Sequence, residues 1–303
     1  MGTLRLATRS SAQATAQSQA VADALMAAHP DLTVELVFVE TLGDQRLDVP
    51  LHTIGGQGVF VKEVQRAVLD GHADIAVHSA KDLPSVTDDG LQLAAFTARR
   101  DARDALVGST LDALVDGATV ATGSVRRQAQ LQAVRPDLQF VELRGNIHTR
   151  LSKLPEGGAL VMAVAALQIL GLTERIAEAL PLESFVPAPG QGCVAIECRA
   201  GDGATASLLA AVDHAPTRAD VVAERAFLAE LGTGCSLPVA AHALDGVLHG
   251  FLAAADSGEP RHVARSVRLA GDRAAVAARL ARELHTELHS GLHSGLHTGL
   301  GAG

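Results

Sequence analysis

Twice in this chain a short strand-forming run turns into a helical run and then into another strand. That order limits the fold more than any single residue does. Leu4–Arg9 alternates like a strand, Ser10 and Ser11 can cap the Ala- and Gln-rich helix that runs to about His29, and Val34–Glu40 reads as the next strand. The pattern returns with a strand at Thr119–Thr122, a turn at Gly123–Ser124, a helix at Val125–Val134 and a strand at Leu138–Leu143. A second turn, Arg144-Gly145-Asn146, then leads into a helix carrying Arg150 and Lys153. Such βαβ units assemble into largely parallel sheets with helices on their faces.

Between the two repeats, Asp74–Ser79 begins as a buried strand and turns abruptly polar through Lys81 and Asp82 to Pro84. Pro84 biases Leu83 away from helix, so Ser79, Lys81 and Asp82 sit at or just beyond a strand's C-terminal end. In open α/β sheets, ligands bind at that edge. A Lys and an Asp there supply an anion anchor and a carboxylate able to face a cation, although alone they would be an ordinary surface ion pair. Gly55, Gly56, Gln57 and Gly58 precede a helix with Phe60, Val64 and Val68 on one face and Gly71 as its stop. The Lys-Ser/Thr that closes a phosphate-binding loop is missing, so a mobile lid is expected there.

Arg126 and Arg127 fall in the first turn of a helix, an unfavourable place for cations unless an anion binds, and no compensating acid stands nearby in sequence. With Arg144 and Arg150 at the next strand-to-helix turn, they suggest a converging anion pocket. The formal net charge of −9 excludes bulk nucleic-acid affinity, so the pocket is expected to take a small anion. The chain of 303 residues, 48% apolar and 19% charged, has the composition of a globular protein of two or three domains. It shows no membrane-length apolar run and no signal-peptide pattern, and its three cysteines suit a reducing compartment, so a cytoplasmic location is expected. Cys193 and Cys198 lie on opposite faces of an apparent strand, and no zinc-like spacing appears, so no metal is expected.

Ala159–Ala163 reads as a buried strand followed by helical segments to about Leu180. A Pro/Gly hinge over 186–192 leads to a strand, Cys193–Cys198, that can return to the first domain. A chain that leaves one domain, builds a second and comes back resembles periplasmic solute-binding proteins. The expected fold is therefore α/β: two periplasmic-binding-protein-like lobes of βαβ type plus a small C-terminal α+β domain. The boundaries are residues 1–98 plus 189–213, then 102–188, then 215–285, with a low-complexity tail over 286–303. In the third domain a helix from Ala219 to Glu230 precedes a Gly-rich loop with Cys235, accessible enough for covalent attachment. Strands at Val239–Leu244, Val247–Ala253 and His262–Leu269 and a helix from Arg273 to His285 complete it. The tail sets His285, His289, His293 and His297 at four-residue intervals, but Gly291, Gly295 and Gly299 argue against a helix, leaving at most incidental metal affinity.

From Leu4 to about His285 the chain resembles the porphobilinogen deaminase (hydroxymethylbilane synthase) family. The resemblance rests on LRLATRSS, GGQGVFVKEV, ADIAVHSAKDLP, TGSVRRQAQL, LRGNIHTRLSKL, PAPGQGCVAIECR and GTGCSLPVA, in the family's order. It implies a transferase of tetrapyrrole biosynthesis that joins four porphobilinogens head to tail with loss of ammonia and releases hydroxymethylbilane by hydrolysis. It also implies a dipyrromethane cofactor held by a thioether to Cys235, with Asp82 as general acid/base facing an azafulvene cation. The pyrrole acetates and propionates would fall to Arg9, Ser11, Ser79, Lys81, Thr122, Ser124, Arg126, Arg127, Arg144, Gly145, Arg150 and Gln191. Thr53, Gln57 and Ile169 stand where some bacterial relatives carry basic residues, and Gly123 where a serine is frequent. Porphobilinogen is the expected partner and the monomer the expected unit, with neither nucleic acid nor membrane involved. A solute receptor for a small carboxylate is the alternative, and a cysteine-nucleophile hydrolase a distant third.

Overall fold

The computed structural model describes residues 2–41, 61–232, 238–254 and 261–290. Gly55, Gly56, Gln57, Gly58, Thr53 and Cys235 lie outside the described residues, as does the tail beyond Ser290.

The chain opens with β1 (Gly2–Arg9), α1 (Ala12–Ala28), β2 (Leu32–Val39), α2 (Lys62–Leu69) and β3 (Ile75–Ser79). A 3-10 turn at Ala80–Asp82 leads on to β4 (Leu91–Phe96) and β5 (Asp104–Val107). Next come β6 (Thr119–Ala121), α3 (Val125–Val134), β7 (Gln139–Val141) and α4 (Ile147–Leu151). They are followed by β8 (Ala159–Ala163), α5 (Val164–Ile169), β9 (Ile176–Ala179) and β10 (Val194–Arg199). The remainder is α6 (Gly203–Leu209), α7 (Ala215–Glu230), the strands β11 (Val239–Leu244), β12 (Val247–Ala253) and β13 (His262–Arg268), and α8 (Arg273–Ser290).

Two five-stranded sheets have the orders β2-β1-β3-β10-β4 and β7-β6-β8-β5-β9. In each, the first three strands are parallel, and one strand runs antiparallel between the third and the last. The antiparallel member is the strand the chain forms on arriving from the other sheet: β5 comes from the first and β10 from the second. The two crossing links lie side by side, with Arg100 N donating to Gly192 O at 2.9 Å and Thr97 N to Val194 O at 3.0 Å. The α/β reading holds, with two βαβ-type sheets and a small α+β unit made of β11–β13 under α7 and α8.

The apolar pattern explains the layers. Ile75 to Val77 and all of β8 are buried, as strands covered on both faces of a parallel sheet must be. Leu6, Leu25, Ile75 and Ile196 centre the first core, Leu106, Val120, Leu131 and Val161 the second, and Phe227, Leu248, Leu252 and Leu284 the third. Cys193 and Cys198 belong to different cores on opposite sides of the first sheet. Gly71 ends α2 at φ 76°, and Asp245 and Gly246 both take positive φ (49° and 75°), the tight turn a two-residue hairpin requires.

Three expectations need correction. Residues 176–179, expected as helical, form β9, which adds an edge to the second sheet beside β5. Helix α7 begins at Ala215 rather than Ala219, because the His214 imidazole accepts from Thr217 N and Pro216 fits the first turn. Helix α8 runs five residues past His285 to Ser290, carried by the burial of Leu284 and Leu288.

Candidate active site

The C-terminal ends of β1, β3 and β6 point into one cleft between the two sheets, about 370 Å³ in volume. Its lining includes Arg9, Ser11, Lys81, Asp82, Ser124, Arg126, Arg127, Arg144, Gly145, Arg150 and Gln191, so eleven of the expected site residues come together. Asp82 is the one carboxylate among its lining residues, facing six cationic side chains. Ser79 lines a smaller adjoining cavity that also reaches Ser11 and Asp82; its hydroxyl donates to Gln17 Oε1 at 3.0 Å. Thr122 is buried outside the lining, where its Oγ1 accepts from Ser124 N at 3.2 Å. Ile169 is likewise outside it, while the adjacent Leu170 takes part.

Local sequence places each group. Ser11 caps α1, accepting from Ala14 N, and Ser124 caps α3, accepting from Arg127 N. Asn146 caps α4 by accepting from Thr149 N at 3.0 Å, and Arg150 Nε donates to Gly145 O at 2.7 Å. Gly145 holds φ 109°, which lets the turn fold back beneath the guanidinium. Gly190, at φ 74°, lets the hinge press on the turn carrying Lys81: a Cβ there would lie 3.0 Å from Ala80 Cβ and 3.2 Å from Lys81 N.

Arg126 and Arg127 do have an acid, which corrects the expectation that nothing compensates them. Asp104, fully buried at the start of β5, pairs with Arg126 Nη2 at 2.8 Å and Arg127 Nη2 at 2.7 Å. Arg127 also donates to Val161 O, and Arg126 to Val186 O. Gln191 joins this network, donating to Asp104 Oδ1 at 3.0 Å and to Ala102 O at 2.8 Å while accepting from Lys81 Nζ at 3.1 Å. Burial opposes ionisation of Asp104, yet Arg126 and then Arg127 hold its carboxyl well below the usual range. Three cations against one carboxylate leave an excess of two positive charges, so the compensation is partial and the cleft stays anion-seeking. Burial, and then repulsion from Arg127, lowers Lys81 to about 8 and Arg150 to about 10. Added negative charge in the cleft would relieve that repulsion. No described residue donates a hydrogen bond to Asp82, whose charge acts on Lys81 and Arg150.

Asp104 escaped sequence reading because it lies in a short segment rich in charge, Arg99–Asp104, that reads as surface. The signal was its position directly before the apolar run Ala105-Leu106-Val107. Asn146, His148 and Met162 also line the cleft and were not anticipated.

The third unit is tied to this region by Glu224 of α7. Its carboxylate accepts from Arg99 Nη1 (2.7 Å), Gly190 N (2.7 Å) and Ala243 N (2.8 Å) and lies 3.1 Å from His242 Nδ1. Ala240, Phe251 and Ala253 pack on Val186 with Ala129 of α3 alongside. α7 and the strands β11 and β12 thus contact the hinge and the arginine-bearing helix. Among the described residues there is no metal-ligating cluster of three or more groups, and no helix is long and apolar enough to cross a membrane.

Fold and cleft together define an α/β protein with a cleft between two sheets lined by six cationic side chains. Residues 4–207 match the family model described as porphobilinogen deaminase, dipyromethane cofactor binding domain, and residues 219–284 match the porphobilinogen deaminase C-terminal domain. The porphobilinogen deaminase of Roseiflexus castenholzii is 48% identical over 262 residues, covering 84% of this chain and 86% of the relative. That of Stenotrophomonas maltophilia is 51% identical over 246 residues, covering 80% and 81%. Among solved structures, the methionine binding protein MetQ is 16% identical with a TM-score of 0.44, covering 74% of this chain and 93% of that one. The chain belongs to the porphobilinogen deaminase family, and its first 4–207 residues carry that family's dipyrromethane-binding domain.

Proposed function

We propose that the protein condenses four porphobilinogens head to tail, losing one ammonia at each step, and releases hydroxymethylbilane by hydrolysis, as a transferase of the hydroxymethylbilane synthase type. The observation that carries this reading is the cleft itself, in which six cationic side chains surround one carboxylate. Each pyrrole brings an acetate and a propionate, and a guanidinium–carboxylate hydrogen bond contributes about 1.5–3 kcal/mol. The donor set fits a dipyrromethane for the same reason, since that group is also a polycarboxylate. When bound, through a thioether to Cys235, it supplies the primer onto which the product grows.

Arg9, Ser11, Lys81, Arg144, Gly145 and Arg150 hold substrate and primer carboxylates, with Ser79, Ser124 and Thr122 ordering the strand ends. Arg126 and Arg127 present positive charge from positions set by Asp104, and Gln191 orients Lys81. Asp82 gives a proton to the departing amine and then, as carboxylate, steadies the cation left on the substrate carbon.

The chain divides at the two crossing links into residues 1–98 with 189–213, 102–188, and a third unit from 215; the separate sheets and cores support this. The single chain is taken as the working unit. The cytoplasm suits a thiol that must stay reduced before attachment.

Intact-mass measurement tests the reading. The purified protein should carry a covalent dipyrrole that Cys235→Ser abolishes, and it should release ammonia from porphobilinogen. An unmodified protein that is nonetheless active would overturn it.

A further inference from the structure

We propose that Arg225, on helix α7 of the third unit, is a positioning residue for Asp82, holding the backbone just beyond the turn that carries the carboxylate; the proposal rests on the reading of Asp82 as proton donor. Arg225 Nη2 donates to Pro84 O at 2.9 Å and to Ser85 O at 3.2 Å. Among the described residues these are the only hydrogen bonds made to residues 84–87. The other side of the turn is anchored differently. Ser79 pairs with Val194 of β10, and Ala80 N donates to Cys193 O at 2.9 Å. Asp82 therefore stands between a stretch of backbone fixed by the first sheet and a stretch fixed by one guanidinium.

Helix α7 meets the turn with two residues of one face. Val221 and Arg225 are four apart and rise from the same side of the helix. Val221 is fully buried in a cluster with Ala80, Leu83 and Phe96, so it packs on the turn that Arg225 holds by hydrogen bonds. Glu224, a step round the helix, goes instead to Arg99 and Gly190. On its own the arrangement is unfavourable. Arg225 is buried, makes no ion pair with a described residue, and directs its charge at carbonyl dipoles. Burial lowers its pKa, and the charge of Glu197 opposes that without direct contact. The Glu197 carboxylate is itself engaged, accepting from Gln65 Nε2 at 3.1 and 2.9 Å and lying 3.1 Å from His78 Nε2. A buried guanidinium with no carboxylate in contact opposes folding, so stability alone does not account for it, and such local conflicts mark function.

A double-mutant cycle on the full-length protein, read as turnover of porphobilinogen, tests the proposal. Arg225→Met removes both hydrogen bonds and keeps the apolar stem. Its kcat should fall roughly 10–100-fold with KM unchanged, since displacing a catalytic group by about an ångström suffices for such a loss. Arg225→Lys should recover part of it, because both bonds come from one nitrogen and an ammonium can supply them. In the Asp82→Asn background neither substitution should lower kcat further. Hydrogen exchange should show the amides of residues 80–83 opening faster in Arg225→Met than in wild type. A merely structural arginine would lose the same factor in both backgrounds. That result, an unchanged kcat, a loss in KM alone, or unchanged amide protection would each overturn the proposal and leave the role of Asp82 intact. Should Arg225→Met not fold, the Arg225→Lys arm of the cycle decides by the same criterion. Wild-type turnover by Asp82→Asn would remove the catalytic reading and this proposal together.

Discussion

Asp82 and Lys81 stand side by side on one 3-10 turn and differ in what surrounds them. Asp82 takes no hydrogen bond from the described residues, so Asp82→Asn should leave carboxylate anchoring intact and remove the proton donor. Turnover is expected to fall about 10²–10⁴-fold with little change in KM, while the covalent dipyrrole persists in the mass spectrum. Wild-type turnover would refute the role. Lys81, lowered to about 8 by burial and then by Arg127, loses its charge as pH rises through that value. KM for porphobilinogen should therefore climb above pH 8 more than kcat falls, and Lys81→Gln should show a high KM without that rise. Stability moves the other way: the unfolded lysine keeps its proton to about 10.5, so the fold gains stability between pH 8 and 10.5. At this scale the sequence was informative about the cations and silent about their tether. Arg126 and Arg127 could be read from their place in a helix's first turn, whereas Asp104 becomes their partner only once β5 lies beside β8.

The same distinction holds among the elements. Strands whose residues are all apolar, such as β8, and helices with a clear cap, such as α1 and α3, could be located to within a residue or two. β5 and β9 could not. Each is four residues long, and each is a strand because of the neighbour it pairs with rather than its own composition. The hinge between β9 and β10 was legible from its Pro and Gly content, and the structure gives those glycines a reason. Gly192 has φ 84°, and a Cβ there would lie 2.6 Å from Arg100 O, inside the contact that joins the two links. Gly192→Ala should thus lower the urea midpoint and raise KM together, since it strains the backbone and pushes the links apart. A variant as stable as wild type would show that the links tolerate separation.

Across the whole molecule, Glu224 joins the third unit to the hinge. Burial opposes its charge, but Arg99 and then His242 bring its pKa down to about 2. A carboxylate so lowered stabilises the fold above its ordinary value of 4.5, and that contribution is lost as pH falls from 4.5 toward 2. Glu224→Gln should be less stable than wild type at pH 7, and the gap should narrow over that interval in urea titrations. A gap that stays constant would place the coupling elsewhere. The insertion of the whole second sheet between β4 and β10 of the first has its own consequence for how the chain comes into being. A ribosome that has released the first 190 residues has made an opening domain with a slot in it, because the strand that fills the space between β3 and β4 is still inside the exit tunnel. The second sheet, contiguous over residues 104–179, can be finished first, whereas the first waits on β10. A gene cut between β4 and β5 would leave one fragment with an open seam and hand the other, beside its own complete sheet, the strand meant to fill it.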